Sequence, residues 1–202
     1  ATLDTGEIAE WGSFGQIPKV FYVSSTSGQD IATNGVTEGA PFKTIKFACD
    51  FIQADLANRA PASVFIKTGV YEEILPISVP ADVALIGDEL RSTSVFPKAG
   101  YETSDMFRVR NGGGIRNMSL NGLTGTLGPA NSYGTRRPTA GAYVSLDPGT
   151  GPGDTSVHIT TKSPYIQNVS SFGTGCTGLR VDGSLHNSGN KSIVANDFTQ
   201  IL

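Results

Sequence analysis

The sequence has few charged residues, no long apolar run and no excess of basic side chains. Charged residues make up 16% of the 202 residues, and the formal net charge is −3 at pH 7. Globular proteins usually carry about 25% charged residues. Proteins that bind nucleic-acid backbone or anionic membrane surfaces have a basic excess, which this chain lacks. No apolar run approaches the ~18 residues of a membrane-spanning helix. We therefore expect neither a nucleic-acid partner nor insertion into a membrane.

Cysteine and histidine are scarce as well. The chain has two cysteines, Cys49 and Cys176, and two histidines, His158 and His186. Their spacing matches no metal-ligand motif, and two cysteines are too few for a disulfide framework. We predict two free, largely buried thiols, no bound metal and no cofactor. The redox compartment stays open.

A helical pattern occurs once in the sequence. Within residues 42–57, four apolar residues recur at helical spacing: Ile45, Cys49, Ile52 and Leu56. Thr44 is placed to cap the N-terminus, and Pro61 cannot continue a helix. The pattern predicts an amphipathic helix over about 42–58 that covers a single apolar surface.

The rest of the chain is rich in glycine, with 25 residues in all, and forms short strand-like runs separated by turn residues. Regular turn signals are also typical of a β-sandwich or barrel. A longer period argues against the sandwich, because the triplets "IRN", "IQN" and "VAN" end at Asn117, Asn168 and Asn196. Their intervals are close to one or two repeats of about 20–30 residues, which is typical of solenoids.

Asparagine suits a bend between two stacked strands. Its backbone tolerates the left-handed conformation, and its amide can bond to the next asparagine in the stack. We predict that Asn117, Asn168 and Asn196 form such a ladder. The first strands of a stack expose an edge that attracts other strands, and we expect the helix to close that end.

The first half of the chain resembles a known fold family. "VFYVSSTSGQDIATNG", "APFKTIKFACDFI" and "SVFIKTGVYEEILPISVPADVALIG" resemble the opening of right-handed parallel β-helix proteins of the pectin-lyase-like type. The resemblance implies an all-β fold: a right-handed parallel β-helix over residues 20–202 with one N-terminal capping α-helix, preceded by a connector over residues 1–19. It says little about activity, because this fold carries lyases, hydrolases, esterases and inert stalks.

The second half resembles a narrower group. "LTGTLGPANSYGTRRPTAGAYVSLDPGTGPGDTSVHITTKSPYIQNVSSFGTGCTGLRVDG" and "NKSIVANDFTQIL" are similar to virion structural proteins of tailed phages that infect marine cyanobacteria. This implies a tail-fibre or tailspike-type protein on the virion surface that takes part in host attachment. The implied partners are other virion proteins, two further copies in a homotrimer, and host cell-surface polysaccharide. In those relatives the β-helix continues beyond Leu202, and we expect this chain to be a fragment.

The least regular segment, about 121–156, is predicted to be a loop insertion rich in Gly, Pro and Thr. It carries four side chains of the types that are favoured at binding surfaces: Tyr133, Arg136, Arg137 and Tyr143. Long loops that project from a solenoid are often functional. We predict a binding or subunit-contact role for these four residues. The alternative is a solvated insertion that packs against the side of the solenoid.

Catalytic carboxylates are hard to find. Asp182 and Asp197 are the candidates in the later strands, but Asp182 precedes Gly183 in a turn motif and Asp197 adjoins a ladder asparagine. Glu72 and Glu73 are adjacent, so they point to opposite faces of a strand, and we expect them in a solvated turn. We assign no catalytic residue. The alternatives to a stalk are a tailspike-like polysaccharide lyase or glycoside hydrolase, and a non-catalytic carbohydrate-binding module.

Overall fold

The described part of the chain is mostly parallel β-sheet with two short helices, so its fold class is all-β. The computed structural model describes residues 19–109, 112–124, 140–145, 165–174 and 177–182, of which 140–145, 165 and 177–182 are described as backbone only. The described strands are β1 (Lys19–Val23), β2 (Ala62–Ile66), β3 (Gly69–Glu73), β4 (Ile77–Val79), β5 (Val83–Gly87), β6 (Thr93–Pro97), β7 (Phe107–Val109), β8 (Gly114–Thr124), β9 (Ala140–Ser145), β10 (Tyr165–Thr174) and β11 (Thr177–Asp182). The described helices are α1 (Ile45–Ala54) and α2 (Leu56–Arg59).

The strands form three columns in which every ladder is parallel. The first column contains β1, β2, β5 and the first halves of β8 and β10. The second contains β3, β6 and the second halves of β8 and β10. The third contains β4, β7, β9 and β11. The chain visits the columns in one order, first through β2, β3 and β4, and then through β5, β6 and β7.

The core lies between the columns, because alternate side chains of each strand point inward. Buried residues occupy matching register positions: Phe21, Val64, Leu85 and Ile115 in the first column, Tyr71, Val95 and Leu120 in the second, and Ile77 and Phe107 in the third. Burying each large apolar side chain stabilises the fold by roughly 1.5–3 kcal/mol. The rows therefore hold successive strands together in a fixed register.

The long strand β8 bends in order to belong to two columns. Its residues 114–116 pair with β5 and its residues 119–120 pair with β6. Between them Asn117 has a φ of 56°, in the left-handed region. Gly87 ends β5 beside this bend, and a Cβ added there would lie 2.0 Å from the Asn117 carbonyl oxygen. The bend thus requires glycine at that position of the neighbouring strand.

The predicted helix is present, but it is shorter and in two pieces. Thr44 caps it as predicted, since its hydroxyl accepts a hydrogen bond from the Phe47 N–H at 3.2 Å. The prediction of one helix over about 42–58 is wrong at Asp55, where φ is −145° and ψ is 60°. The Asp55 N–H bonds to the Ile52 carbonyl, a tightening typical of helix ends. A second turn, α2, follows and ends at Arg59 before Pro61.

Helix α1 lies across the end of all three columns. It contacts β1, β3 and β4, which are the end strands of the first, second and third columns respectively. Its buried face carries Ile45, Ala48, Cys49 and Ile52. Four phenylalanine rings fill the space between α1 and β1, with centroids 5.1–6.5 Å apart: Phe21, Phe42, Phe47 and Phe51.

The irregular segment is narrower than predicted. Residues 121–124 complete β8, and residues 140–145 form β9, which pairs in parallel with β7 and β11. The loop prediction is wrong at residues 140–145 because β9 pairs in parallel with a strand on each side. Residues 1–18 of the predicted connector lie outside the described residues, and Lys19 already belongs to β1.

Candidate functional site

The N-terminus of α1 is held by a carboxylate from the loop that precedes it. Asp30 accepts hydrogen bonds from the backbone N–H of Lys43 at 2.8 Å and of Thr44 at 3.0 Å, and from the Thr44 hydroxyl at 2.8 Å. The first N–H groups of a helix have no partner within the helix. A negative charge there also favours the helix dipole. Asp30 therefore fixes where the helix begins.

A second carboxylate reaches the same helix end from the strands. Glu73 closes β3, and its two oxygens accept hydrogen bonds from the backbone N–H groups of Ile45 at 2.6 Å and Lys46 at 3.1 Å. Its side chain is 1% exposed, whereas Glu72 is exposed. The prediction that the two glutamates point to opposite faces is confirmed. The prediction of a solvated turn is wrong for Glu73, because strand alternation turns its side chain toward the unpaired helix N–H groups.

Burial changes the ionisation of three groups around this junction. Burial raises the pKa of Glu73 from 4.5 to about 7, although the hydrogen bonds from Ile45 and Lys46 act in the opposite direction. Burial likewise raises the pKa of Tyr71 to about 12. Burial raises the pKa of the Cys49 thiol, and the nearby Glu73 carboxylate adds to this effect. Cys49 is free and buried, as predicted, and a thiol kept protonated in this way is a poor nucleophile.

A cleft of about 530 Å³ opens beside the junction. Its lining includes Lys43, Val70, Tyr71, Glu72, Glu73 and Lys98. Both Glu73 oxygens are engaged by the helix, and the Tyr71 hydroxyl donates to the Lys67 carbonyl at 2.6 Å. A general acid or base must reach the proton that it transfers. Neither of these two buried groups is available to a ligand, so we assign them a structural role.

The bends of β8 and β10 bring two predicted ladder residues together. Asn117 and Asn168 have φ values of 56° and 51°. The Asn168 side-chain amide donates to the Asn117 side-chain oxygen at 2.9 Å. Two residues further on, the hydroxyl oxygens of Ser119 and Ser170 lie 2.8 Å apart. Asn196 lies outside the described residues, so the third member of the ladder stays a prediction.

Most of the predicted binding and catalytic residues lie outside the described residues. These are Tyr133, Arg136, Arg137 and Asp197. Asp182 is the last residue of β11, in register with Ser145. Tyr143 was predicted in a loop, and this is wrong because it lies within β9. Whether the four predicted binding residues lie together therefore stays a prediction.

Four residues of the third column share one register position, and we call them the arginine row: Ser78, Arg108, Tyr143 and Arg180. Ser78 and Arg108 are exposed between buried neighbours. The Arg108 guanidinium forms an ion pair with Asp105 at 3.2 Å. Adjacent strands are about 4.8 Å apart, so this row places two arginine positions two strands apart.

The first column carries an outward row, which we call the aromatic row: Tyr22, Phe65, Ile86, Arg116 and Gln167. The rings of Tyr22 and Phe65 are stacked, with centroids 6.1 Å apart. Sequence analysis missed this row and the role of Glu73. The available signal for the row was the run "VFYV" in β1, which is apolar at both inward and outward positions, a pattern typical of strands that are covered on both faces.

Metal and membrane features are not found in the described residues. Within those ranges, no group of three or more His, Cys, Asp or Glu side chains is placed to hold a metal ion. No described helix is long and apolar enough to span a membrane.

Comparisons with known proteins identify no relative. No protein-family model, curated protein or solved structure matches the chain. The strand pairing, the helix junction and the two rows, together with the resemblance noted in the sequence, are therefore the basis for assigning a function.

Proposed function

We propose that the chain is a right-handed parallel β-helix in a tail-fibre or tailspike-type structure on the surface of a phage virion. Its role is that of a stiff stalk in host attachment. The observation that supports this best is the order in which the chain visits the three columns, through β2–β3–β4 and then β5–β6–β7. Crossover connections between parallel strands are right-handed in about 98% of cases, which supports the proposed hand.

Stiffness follows from how the strands are paired. Strands β2 and β5 have parallel neighbours on both sides, so backbone N–H and C=O groups on both edges of these strands take part in ladders. The exposed end of such a stack would pair with other strands. Helix α1 lies over β1, β3 and β4 at that end, which supports the role of a cap. A stalk of this kind resists local opening and proteolysis.

The proposed partners come from the resemblance in the second half of the chain. They are other virion proteins, two further copies in a homotrimer, and host cell-surface polysaccharide. Within the chain, our predicted contact residues remain Tyr133, Arg136, Arg137 and Tyr143. The proposed location is the outer surface of the particle.

Particles of the phage that encodes the chain provide the direct test. We expect peptides of this chain in gradient-purified particles by mass spectrometry. We also expect gold-labelled antibodies against it to bind at the tail rather than the capsid. Particles stripped of tails are the control. Purified particles without these peptides would show that the chain is not a virion component.

Of the two carboxylates that line the cleft, Glu72 and Glu73, Glu73 is engaged by the helix, so it is not available as the partner of Glu72 in a catalytic carboxylate pair. The enzyme alternative has its own test. Purified chain is incubated with host lipopolysaccharide or capsule, and soluble reducing ends are measured over time. We expect no release above a boiled control, and steady release of oligosaccharides would favour a polysaccharide lyase or glycoside hydrolase.

A further inference from the structure

The outward face of the first column is unusually apolar. A sheet with one face to solvent normally carries polar residues at its outward positions. Here five of the six outward residues on the first three strands are apolar or aromatic, namely Val20, Tyr22, Phe65, Ala84 and Ile86, and the sixth is Ser63. Val20 is 37% exposed and Phe65 is 41% exposed. In contrast, the described outward residues of the third column are Ser78 and Arg108.

The aromatic row is straight and evenly spaced. Its five members lie on five neighbouring strands of the first column, in the order Tyr22, Phe65, Ile86, Arg116 and Gln167. Since parallel strands are about 4.8 Å apart, the row extends over roughly 19 Å. The surface thus repeats at a constant interval in a single direction, and the ladders between successive strands fix its backbone.

The row changes from apolar to cationic along its length. Tyr22 and Phe65 form the apolar end, and Arg116 is exposed beyond Ile86. Among the described residues, the Arg116 side chain makes no hydrogen bond or ion pair, whereas the Arg108 side chain of the arginine row is paired with Asp105. A guanidinium is suited to a carboxylate or sulfate, which it can bind through two parallel hydrogen bonds.

We propose that the aromatic row is a binding site for an acidic polysaccharide. The apolar faces of successive sugar rings pack along Tyr22, Phe65 and Ile86, and an acidic group on the polymer binds Arg116. The sugar units of a polysaccharide recur at a regular interval, as do the side chains of the row on successive strands. A rigid sheet also loses little conformational entropy when it binds. This proposal rests on the proposed function, because it identifies the ligand through which the stalk contacts the host surface.

Direct binding of the 202-residue chain to polymers of defined charge tests this site. The probes are alginate, a polymer of uronic acids, together with dextran sulfate and neutral dextran, and the measurement is affinity electrophoresis with calorimetry. We expect binding to one or both acidic polymers and none to dextran. Arg116→Gln should weaken binding about tenfold, as loss of a charge-assisted hydrogen bond does. Phe65→Ala should weaken it similarly, and Phe65→Trp should retain it.

Two control variants test whether binding depends on the aromatic row or on any exposed arginine or aromatic ring. Arg108→Gln removes an exposed arginine from the third column, and Phe172→Ala removes a ring that is 79% exposed on β10. Both should bind like the unaltered chain. Circular dichroism confirms that each variant is folded. Failure of both acidic polymers to bind, equal binding of dextran, or loss of binding in Arg108→Gln but not in Arg116→Gln would each overturn the proposal.

Self-association is the other outcome that would overturn it. If Phe65→Ala abolishes a concentration-dependent oligomer in sedimentation experiments while polymer binding is unchanged, the row is an interface between copies of the chain. A negative result for polymer binding can be distinguished from a negative result for the proposed function. Polymer binding is measured on the isolated chain, whereas membership of the virion is measured on particles.

Discussion

Glu73 is the residue on which the junction between helix and strands depends most directly. It lies at the end of β3, it is 1% exposed, and each of its oxygens satisfies one helix N–H group. A buried carboxylate is costly unless it is hydrogen-bonded, and buried N–H groups are costly unless they find an acceptor. The two costs offset each other at this one position.

We expect Glu73→Ala to lower the free energy of unfolding by about 2 kcal/mol at pH 7, because it leaves two helix N–H groups without an acceptor. Urea unfolding followed by circular dichroism measures the change. Glu72→Ala is the matched control, since the Glu72 side chain is exposed, and it should change stability by less than about 0.5 kcal/mol. Equal effects in the two variants would contradict the assigned role.

The raised pKa of Glu73 predicts a pH dependence of stability. Burial raises the pKa from 4.5 to about 7, so the folded state binds a proton more tightly than the unfolded state. Protonation of Glu73 therefore contributes to the free energy of unfolding. This contribution is fully present below pH 4.5 and is lost as the pH rises through about 7. This shift corresponds to about 3 kcal/mol as an upper value.

Glu73→Gln isolates that contribution, because glutamine does not titrate. Urea unfolding of both proteins between pH 4.5 and 8 should show the unaltered chain losing stability relative to the variant as the pH rises. A gain relative to the variant would mean that the hydrogen bonds from the helix outweigh burial. Glu89 and Glu102 have lowered pKa values because each carboxylate accepts nearby hydrogen bonds, and both are common to the two proteins.

At the scale of elements, the bends in β8 and β10 join the first column to the second. Both bends use asparagine in the left-handed region, and the two side chains are hydrogen-bonded. Alanine in that region costs roughly 1–2 kcal/mol, and glycine avoids this strain. The backbone conformation and the side-chain bond therefore make separate contributions to stability.

Substitutions at Asn117 can separate the two contributions. We expect Asn117→Ala to lower the free energy of unfolding by about 2 kcal/mol and Asn117→Gly by about 1 kcal/mol. A double-mutant cycle with Asn168→Gly should give a coupling energy of about 0.5–1 kcal/mol. Chemical denaturation measures the free energy of unfolding of the four proteins in the cycle: the unaltered chain, the two single glycine variants and the double variant. A coupling energy of zero would show that the 2.9 Å contact contributes nothing.

Elements with a local signal could be predicted from the sequence. The spacing of Ile45, Cys49 and Ile52 predicts α1, and Thr44 predicts where it begins. The partner of the helix could not be predicted, since Ile45 and Glu73 are 28 residues apart and nothing local in "GVYEE" indicates which neighbour the last carboxylate will meet. Tyr143 was misplaced for the same reason, because β9 is defined by its pairing with β7 and β11.

At the scale of the whole molecule, the cover that α1 provides at one end of the strands determines whether the chain stays monodisperse or aggregates. The helix buries Ile52 completely against the strands, and β1, β3 and β4 lie beneath it. Without that cover, the end strands would present their apolar core to solvent. Exposed strands of this kind associate with other chains.

We expect Ile52→Asp to undock the helix and to produce soluble aggregates, because an uncompensated charge cannot be buried at this position. Size-exclusion chromatography with light scattering, together with binding of a dye for apolar surfaces, reports the change. Gln53→Asp introduces the same charge at the neighbouring exposed position and should leave a monodisperse species with low dye binding. A monodisperse Ile52→Asp protein would contradict the covering role of α1.

The carboxylate of Glu73 also sets an order of events as the chain is synthesised. The segment that becomes α1 leaves the ribosome 28 residues before the residue that accepts hydrogen bonds from its first turn. A helix of 10 residues is marginal in isolation. It therefore becomes stable only after β3 has formed. Helix α1 is therefore translated before β3 but depends on β3 for the acceptors of its first turn.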